Sequence, residues 1–486
     1  MFAIFSIRLP RAALVIVATL AFIFGVFTAQ IWRVYDAWWL VCAVPLLLVG
    51  RKKQGIIFLL GAAGIFATLG LLRGTQYMDK KQLYTQLERQ KVSLVARANS
   101  DAVYGTKHQL TFEVRDAQLS DGRRLVGVLQ ISGFGESMVY KGDWLLIEGK
   151  LFTSRGNASG RISFASLRVI ARGNSLIDDV RRGFAAGIQS TLPEPVASFG
   201  MGLLVGQRNT LPKETSEQLQ KVGLTHIIAV SGYNLTIIMQ AMGRLMKKRS
   251  KFQYMFCSVA LMVTFLLLTG QSPSIVRASV VCGLGLWAWW YGRTINPLVL
   301  LMTAAAITVA GNPLYIWGNV SWMLSFLAFF GVLVVSPAVM RRWFGQRQPG
   351  LVGAMVIESL CAEIMTLPYV LYIFGTLSTI STAANVLVAA FVPLAMLSSL
   401  IAGLAGMMVP ELAGWLAWPA TWVMTYMLDV VYLLSQVPHA FIEHVGFPAW
   451  MLAFSYMFVA VLLLISWHKG RQNGIITDNT ERNVKE

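Results

Sequence analysis

Long uncharged apolar runs constrain this chain most, because many of them can cross a lipid bilayer as helices. A chain that is 56% hydrophobic and only 13% charged is not a soluble globular protein. We therefore expect a polytopic α-helical membrane protein. The apolar runs lie at 12–31, 38–50, 54–72, 252–270, 275–291, 296–312, 315–336, 351–374, 380–407, 411–436 and 448–467.

Basic clusters orient the predicted spans, because Lys and Arg concentrate in cytoplasmic loops. They occur at 51–53, 247–251, 293, 341–347 and 468–471. If the stretch 223–242 is counted as a further crossing, all five lie on the cytoplasmic side. The chain then has about 12 transmembrane helices, and both termini are cytoplasmic. The basic cytoplasmic loops are the preferred explanation of the net charge of +18, and binding of an anionic partner is the alternative.

Residues 73–172 have a different character, since they are polar, rich in turns and placed outside the membrane after the third span. Apolar and polar residues alternate in "HQLTFEV", "RLVGVLQIS", "DWLLIEGKL" and "GRISFASLRVI". This pattern predicts an extracytoplasmic small β-barrel domain of about five strands. Its 16 Lys and Arg against 9 Asp and Glu give a net charge of +7. That charge suits nucleic acid or anionic lipid, and a solvated surface explains it equally well.

The stretch 174–191 follows the predicted barrel and has apolar residues at three- and four-residue spacing. This periodicity predicts an amphipathic helix, either at the membrane surface or packed against the protein. The expected organisation is 1–72 N-terminal transmembrane helices, 73–172 extracytoplasmic β domain, 173–192 amphipathic interfacial helix, 193–467 membrane domain and 468–486 short cytoplasmic tail.

Polar residues within the predicted spans are the candidate functional residues, because a polar group in hydrocarbon must face protein or water. The stretch "GLTHIIAVSGYNLTIIMQAM" (223–242) predicts a break in a helix beside a water-filled path. The candidates for that path are Ser231, Gly232, Asn234, Ser272, Ser274, Arg277, Asn319, Ser325 and Asn385. The candidate intramembrane charge network consists of Arg277, Glu358, Glu363 and Asp429. For any single Ser, Thr or Asn, hydrogen bonding between helices is the alternative role.

An intramembrane hydrolase is a weaker hypothesis. His226 precedes Ser231 by five residues, so on a continuous helix their side chains point about 140° apart and cannot form a hydrogen bond. The five histidines form no H-x-H or H-E-x-x-H arrangement, and the four cysteines lie in apolar runs without C-x-x-C spacing. We expect no enzyme activity, no metal and no cofactor.

Four motifs occur in an order and at separations that resemble the membrane domain of the ComEC competence-protein family. They are "AVSG" (229–232), "SPSIVR" (272–277), "LSF" (324–326) and "ANV" (384–386). The resemblance covers about 193–467, and the N-terminal spans and barrel are similar to that family's periplasmic OB-fold region, which implies an OB-like barrel. The chain departs from it at Tyr233 and Asn234, where Leu-His is common, and at Glu363, where a glutamine is common.

The resemblance implies a bacterial inner-membrane channel that transports single-stranded DNA into the cytoplasm during natural transformation. It also implies a separate DNA receptor and a cytoplasmic motor ATPase as partners, besides the DNA and the lipid bilayer. The sequence has no H-x-H-x-D-H nuclease motif, so we expect a separate nuclease. Broken helices with intramembrane carboxylates leave open a secondary transporter or channel for a small solute. The oligomeric state is open as well.

Overall fold

A computed structural model describes most of the chain. It describes residues 11–35, 56–104, 109–136, 138–154, 158–173, 176–206, 211–228, 250–269, 273–345, 349–463 and 465, together with 235, 238–239, 242–243 and 246.

The first two described helices, α1 (Arg11–Thr28) and α2 (Ile56–Gln86), pack side by side through glycines. A Cβ on Gly25 would lie 2.0 Å from the carbonyl oxygen of Ala67, and one on Gly70 would lie 2.1 Å from that of Phe22. Such small residues let two membrane helices approach closely. The contacts advance in the same direction along both helices, so the pair is parallel and the chain between them must return. The predicted span 38–50 would make that return and lies outside the described residues.

The helix α2 continues beyond the predicted span. It has 31 residues without a break, which corresponds to a length of about 46 Å. Near its end the Tyr77 hydroxyl lies 3.1 Å from Ser159 Oγ, and the Tyr84 hydroxyl donates to the Val126 carbonyl at 2.9 Å. Tyr84 is fully buried. The predicted domain boundary at residue 73 therefore falls inside a helix that links the spans to the β domain.

The β domain is a ring of strands. They are β1 (Lys91–Ala98), β2 (Val103–Tyr104), β3 (Leu110–Leu119), β4 (Leu129–Phe134), β5 (Trp144–Thr153) and β6 (Gly160–Ala171). The order is β1-β5-β6-β4-β3-β2, and a further β1–β3 pairing closes five of the strands into a barrel. Strands β4 and β6 are parallel, whereas the other pairs are antiparallel. Alternate side chains point inwards, as the alternating sequence predicts.

The membrane domain consists of helices joined by short connections. They are α3 (Leu176–Thr191), α4 (Val196–Val205), α5 (Lys213–Lys221), α6 (Thr225–Ile228), α7 (Lys251–Thr269), α8 (Pro273–Trp290), α9 (Pro297–Gly311), α10 (Leu314–Gly318), α11 (Val320–Phe330), α12 (Ser336–Phe344), α13 (Leu351–Phe374), α14 (Ser381–Ala389), α15 (Val392–Met408), α16 (Pro410–Ser435) and α17 (Ala449–Leu463). A π-helical turn, Gly331–Val335, joins α11 to α12, and β7 (Leu377–Ser378) pairs with β8 (Phe441–Ile442).

Three described helices are long and apolar enough to cross a bilayer: Phe58–Gln86, Val320–Phe344 and Gly353–Phe374. The pair α14 and α15 makes a fourth if it is one span bent by 49°. Five shorter apolar helices have 10–17 residues each. The chain is thus a mostly helical membrane protein with a small mixed sheet, and the 12 crossings stay a prediction.

Prolines in the predicted spans act in two ways. Pro273, Pro313 and Pro393 stand at helix starts, where a missing N–H costs little, and Pro393 follows the bend between α14 and α15. Pro368 lies inside α13, which continues past it as one helix. Three of these prolines therefore mark the starts of helices, whereas Pro368 does not interrupt its helix.

The amphipathic helix α3 packs against α15 through glycines. A Cβ on Gly187 would lie 2.5 Å from the carbonyl oxygen of Gly403, and Ile188 is fully buried. On the other side of α3, Arg181 forms an ion pair with Asp101 of the β domain at 2.6 Å. Of the two placements predicted for this helix, the structure shows the one packed against protein, and contact with the membrane surface stays a prediction.

Candidate functional site

Arg277 is a charged residue buried inside the helical bundle. It lies in the second turn of α8, and only 2% of its surface is exposed. Its guanidinium carbon lies 4.5 Å from the centre of the Phe329 ring and 5.5 Å from that of Phe326, both on α11. These cation–π contacts offset part of the cost of burying the charge.

The hydrogen bonds of Arg277 are incomplete. Its Nε and Nη1 are buried and have no hydrogen-bond partner among the residues that the structure describes. The sequence has no Asp or Glu between Glu217 and Glu358, so the surrounding helices supply no carboxylate. An unpaired buried charge costs several kcal/mol, roughly, even after relaxation. The guanidinium is therefore suited to an anion.

Polar side chains near Arg277 lie on α8 and at the start and middle of α11. Ser274 Oγ lies 3.5 Å from Ser325 Oγ, one turn before the arginine. Asn319 is buried, and its Oδ1 accepts a hydrogen bond from the backbone N–H of Trp322 at 2.8 Å. Asn319 is therefore the N-cap of α11, a structural role that its predicted place on the path did not include.

A second polar group surrounds Glu363 on α13. The hydroxyls of Ser381 and Thr382 donate to its two carboxylate oxygens from the first turn of α14. One turn further along α14, Asn385 donates from Nδ2 to Ser359 Oγ at 2.8 Å. We call these five residues the Glu363 cluster. It joins α13 to α14, and α14 is the first half of the bent pair α14 and α15, which resembles the broken helices of transport proteins.

His226 joins the Glu363 cluster from the short helix α6. Its exposed ring lies near Asn385 and Glu363, and Nδ1 lies 3.2 Å from the Gly223 carbonyl oxygen. Gly223 has φ +78°, and a Cβ there would lie 2.8 Å from that of Ser381. The turn before α6 therefore needs glycine for its conformation and for its close approach to α14.

The two polar groups are separate in the part of the chain that the structure describes. No ion pair or hydrogen bond among these residues joins Arg277 to Glu358, Glu363 or Asp429. Glu358 and Asp429 are exposed on α13 and α16. Four predicted residues of the path, Ser231, Gly232, Asn234 and Ser272, lie outside the described residues.

The sequence predicted neither Ser359, Ser381 nor Thr382 as site residues, and it considered His226 only as a partner of Ser231. A signal for two of them was present, because "TLSTIST" (376–382) packs five hydroxyl residues into seven positions just before Asn385. Nothing in the sequence indicates that His226 lies near Asn385, which is distant from it along the chain. Within the described ranges, no group of three or more His, Cys, Asp or Glu side chains is placed to hold a metal.

Comparisons with known proteins match the membrane domain. The family model described as "Competence protein" matches residues 203–469, more than half of the 486 residues. The chain is similar to "ComE operon protein 3" of Bacillus subtilis (strain 168), with 26% identity over 308 residues. It is also similar to "Competence protein ComA" of Neisseria gonorrhoeae, with 24% identity over 204 residues.

These likenesses are partial. The Bacillus match covers 60% of this chain and 37% of the relative, and the Neisseria match covers 39% of this chain and 28% of the relative. The chain therefore spans about a third of the length of the curated relatives it matches. No solved structure matches the chain.

Proposed function

We propose that this chain, which belongs to the competence protein family, is a channel that carries single-stranded DNA across the bacterial cytoplasmic membrane during natural transformation. The observation that carries the proposal is the buried Arg277 guanidinium, two of whose nitrogens have no partner in the described part of the chain. A strand of DNA supplies one negative charge per nucleotide. A phosphodiester oxygen beside Arg277 would complete its hydrogen bonds and compensate its charge.

Further residues of the proposed path lie around Arg277. Ser274 and Ser325 place hydroxyls beside it that can bond to phosphate or base edges. Phe326 and Phe329 offer faces on which a base can stack. The stretch around Ser231, Gly232 and Asn234 contributes polar groups to the same path in this proposal.

The basic barrel gathers the strand outside the membrane. The closed ring of five strands with its parallel pair β4–β6 supports the OB-like assignment, since barrels of that type bind single strands. A net charge of +7 over 73–172 favours a polyanion. In this proposal the barrel is extracytoplasmic and both termini are cytoplasmic.

The remaining components are proposed to be separate proteins. A DNA receptor delivers the strand, a cytoplasmic motor ATPase pulls it, and a nuclease removes the complementary strand. This chain itself is assigned no catalytic step. Labelling of Ser231 by a serine-directed hydrolase probe would contradict that assignment.

The experiment follows labelled DNA in a transformable host that carries this protein. We compare wild type with Arg277→Ala, Arg277→Lys and Asn234→Leu at matched amounts in the membrane. The control is Arg342→Ala, which removes an exposed arginine at the end of α12. We expect Arg277→Ala and Asn234→Leu to abolish entry of DNA into the cytoplasm, Arg277→Lys to retain part of it, and the control to match wild type. Unchanged uptake in both Arg277→Ala and Asn234→Leu would overturn the proposed path.

A small-solute transporter is the alternative, and the Glu363 cluster favours it. A carboxylate and a histidine beside a bent helix are the groups that ion-coupled transporters use. Purified protein in liposomes would distinguish the two functions. Gradient-driven uptake of an ion or small solute that DNA does not affect would support the alternative.

A further inference from the structure

The start of α7 and the end of α8 form an aromatic surface on the bundle. The Tyr254 and Trp289 rings contact each other with centroids 4.7 Å apart, and Lys251 Nζ lies 5.7 Å from the centre of the Trp289 ring. These contacts fix the first turn of α7 beside the last turn of α8. The basic loop residues that begin α7 therefore lie at the same end of the bundle as those that follow α8.

Two grooves open on this surface, with volumes of about 380 and 310 Å³. They share Phe252 and Phe256, so these two rings form a ridge between them. The larger groove is also lined by Trp287, Trp290 and Tyr291. We use the name aromatic groove for this groove and the ridge together. Phe252 is 69% exposed and Phe256 67% exposed, so the ridge projects from the protein.

Positive charge borders the aromatic groove at one end. Lys251 and Arg293 are exposed there, and neither forms an ion pair with any described residue. The sequence has no Asp or Glu between Glu217 and Glu358 to neutralise them. Three more basic residues, 247–249, directly precede this end in the sequence. The site therefore combines two apolar grooves, separated by a ridge, with exposed positive charge at one end.

We propose that the aromatic groove binds an anionic diacyl phospholipid. The headgroup phosphate contacts Lys251 and Arg293, and one acyl chain lies on each side of the Phe252–Phe256 ridge. Basic pockets between membrane helices select anionic headgroups by charge, and aromatic residues at helix ends sit at the headgroup level. An aromatic belt alone would anchor the helices without preferring any lipid. Here the two grooves match the two acyl chains, and the basic residues match the anionic headgroup.

This site is independent of the proposed DNA path. Its test uses the purified full chain, delipidated in detergent, and native mass spectrometry with two lipids of identical acyl chains. Dioleoyl phosphatidylglycerol is anionic, and dioleoyl phosphatidylcholine is zwitterionic. We expect wild type to bind the anionic lipid about tenfold more tightly or better.

Two variants separate the parts of the site. Lys251→Glu with Arg293→Glu should abolish the preference, because it weakens binding of the net-anionic phosphatidylglycerol much more than binding of zwitterionic phosphatidylcholine. Phe256→Leu with Trp287→Leu should weaken both lipids equally. The control Lys213→Glu with Lys221→Glu reverses two exposed charges on α5 and should behave as wild type.

Two results would overturn the proposal: equal affinity of wild type for both lipids, or an unchanged preference in the variant of Lys251 and Arg293. Because both charges are exposed, that variant is expected to fold, and a monodisperse elution profile verifies it. The experiment measures lipid binding and not DNA uptake, so its result tests the lipid site without testing the proposed DNA path.

Discussion

Two buried charges, Asp143 in the barrel and Arg277 in the bundle, have opposite surroundings. Asp143 is fully buried and accepts hydrogen bonds from the N–H groups of Tyr140 and Gly173, each at 3.0 Å, and from Arg172 Nη1 at 2.7 Å. Arg277 is almost as buried, but two of its nitrogens have no partner in the described part of the chain. The barrel satisfies its buried charge when it folds. The bundle retains hydrogen-bonding capacity that a ligand can use, so the buried charge stabilises the fold in one region and serves the proposed function in the other.

The largest effect should come from the apolar core of the barrel. Ile147 on β5 is fully buried, and Ile147→Ala should destabilise the domain by about 4 kcal/mol, because it removes methylene groups and leaves a cavity. The measurement is the thermal unfolding midpoint in detergent. The control Ile170→Ala changes a residue on β6 that is 56% exposed, and its midpoint should stay near that of wild type. Equal midpoints for the two variants would show that the barrel does not depend on this core.

The next effect tests the satisfied charge. Asp143→Ala should destabilise the barrel by about 3 kcal/mol, because two backbone N–H groups and an arginine lose their acceptor. Chemical denaturation followed by tryptophan fluorescence measures this loss. The matched variant Asp121→Ala removes an exposed partner of Arg123 and should leave the curve unchanged. If Asp143→Ala leaves the free energy of unfolding unchanged, Asp143 does not stabilise the barrel and the contrast with Arg277 fails.

The variant Arg277→Met tests the other half of the comparison. It should leave stability within about 1 kcal/mol of wild type, because an apolar side chain of similar volume replaces a charge whose burial is costly. DNA uptake should nevertheless fall by about tenfold or more, the loss expected for one charged contact. Uptake per amount of protein in the membrane and the unfolding midpoint are measured on the same variant. A large loss of stability would assign Arg277 to the fold.

The smallest effect separates a cap from a path residue. Asn319→Ala should cost about 1 kcal/mol, since α11 loses its N-cap. Asn319→Ser keeps a neutral acceptor and should restore the midpoint. If both variants take up DNA as wild type does, Asn319 is structural; if Asn319→Ser is stable but loses uptake, the residue belongs to the path.

The barrel was the more predictable region. Alternating runs indicated four of its strands: β5 and β6 occupy nearly the predicted residues, whereas β3 and β4 overlap their predicted runs in part. The first strand, "KVSLVARA" (91–98), has the same alternation but was not singled out. Strand order was beyond the sequence, because the parallel pairing of β4 with β6 depends on contacts between distant segments. The extent of α2 was also missed, since its last turns are polar and are held by tertiary contacts of Tyr77 and Tyr84.

The candidate site was predictable by residue type but not by grouping. The cost of polar groups in hydrocarbon was enough to select Arg277, Glu363 and Asn385. Their partners could not be read in the same way, because helical phase from one sequence is approximate. Arg277 meets two phenylalanines, and Glu363 meets hydroxyls from the next helix, so the expected pairing of charges is replaced by two separate groups among the described residues.

The unbroken helix α2 has a mechanical consequence. It is fastened to the barrel by Tyr84 and, lower down, to the end of α9 by Arg73, which donates from Nε to the Ala310 carbonyl at 2.8 Å. Below that point Gly70 locks it against α1. A pulling force on a DNA strand bound to the barrel would be transmitted along α2. A twisting force would reach α9 through Arg73. The barrel cannot rotate relative to the bundle unless α2 bends or unwinds, so α2 sets the orientation in which the barrel would present a DNA strand to the proposed path.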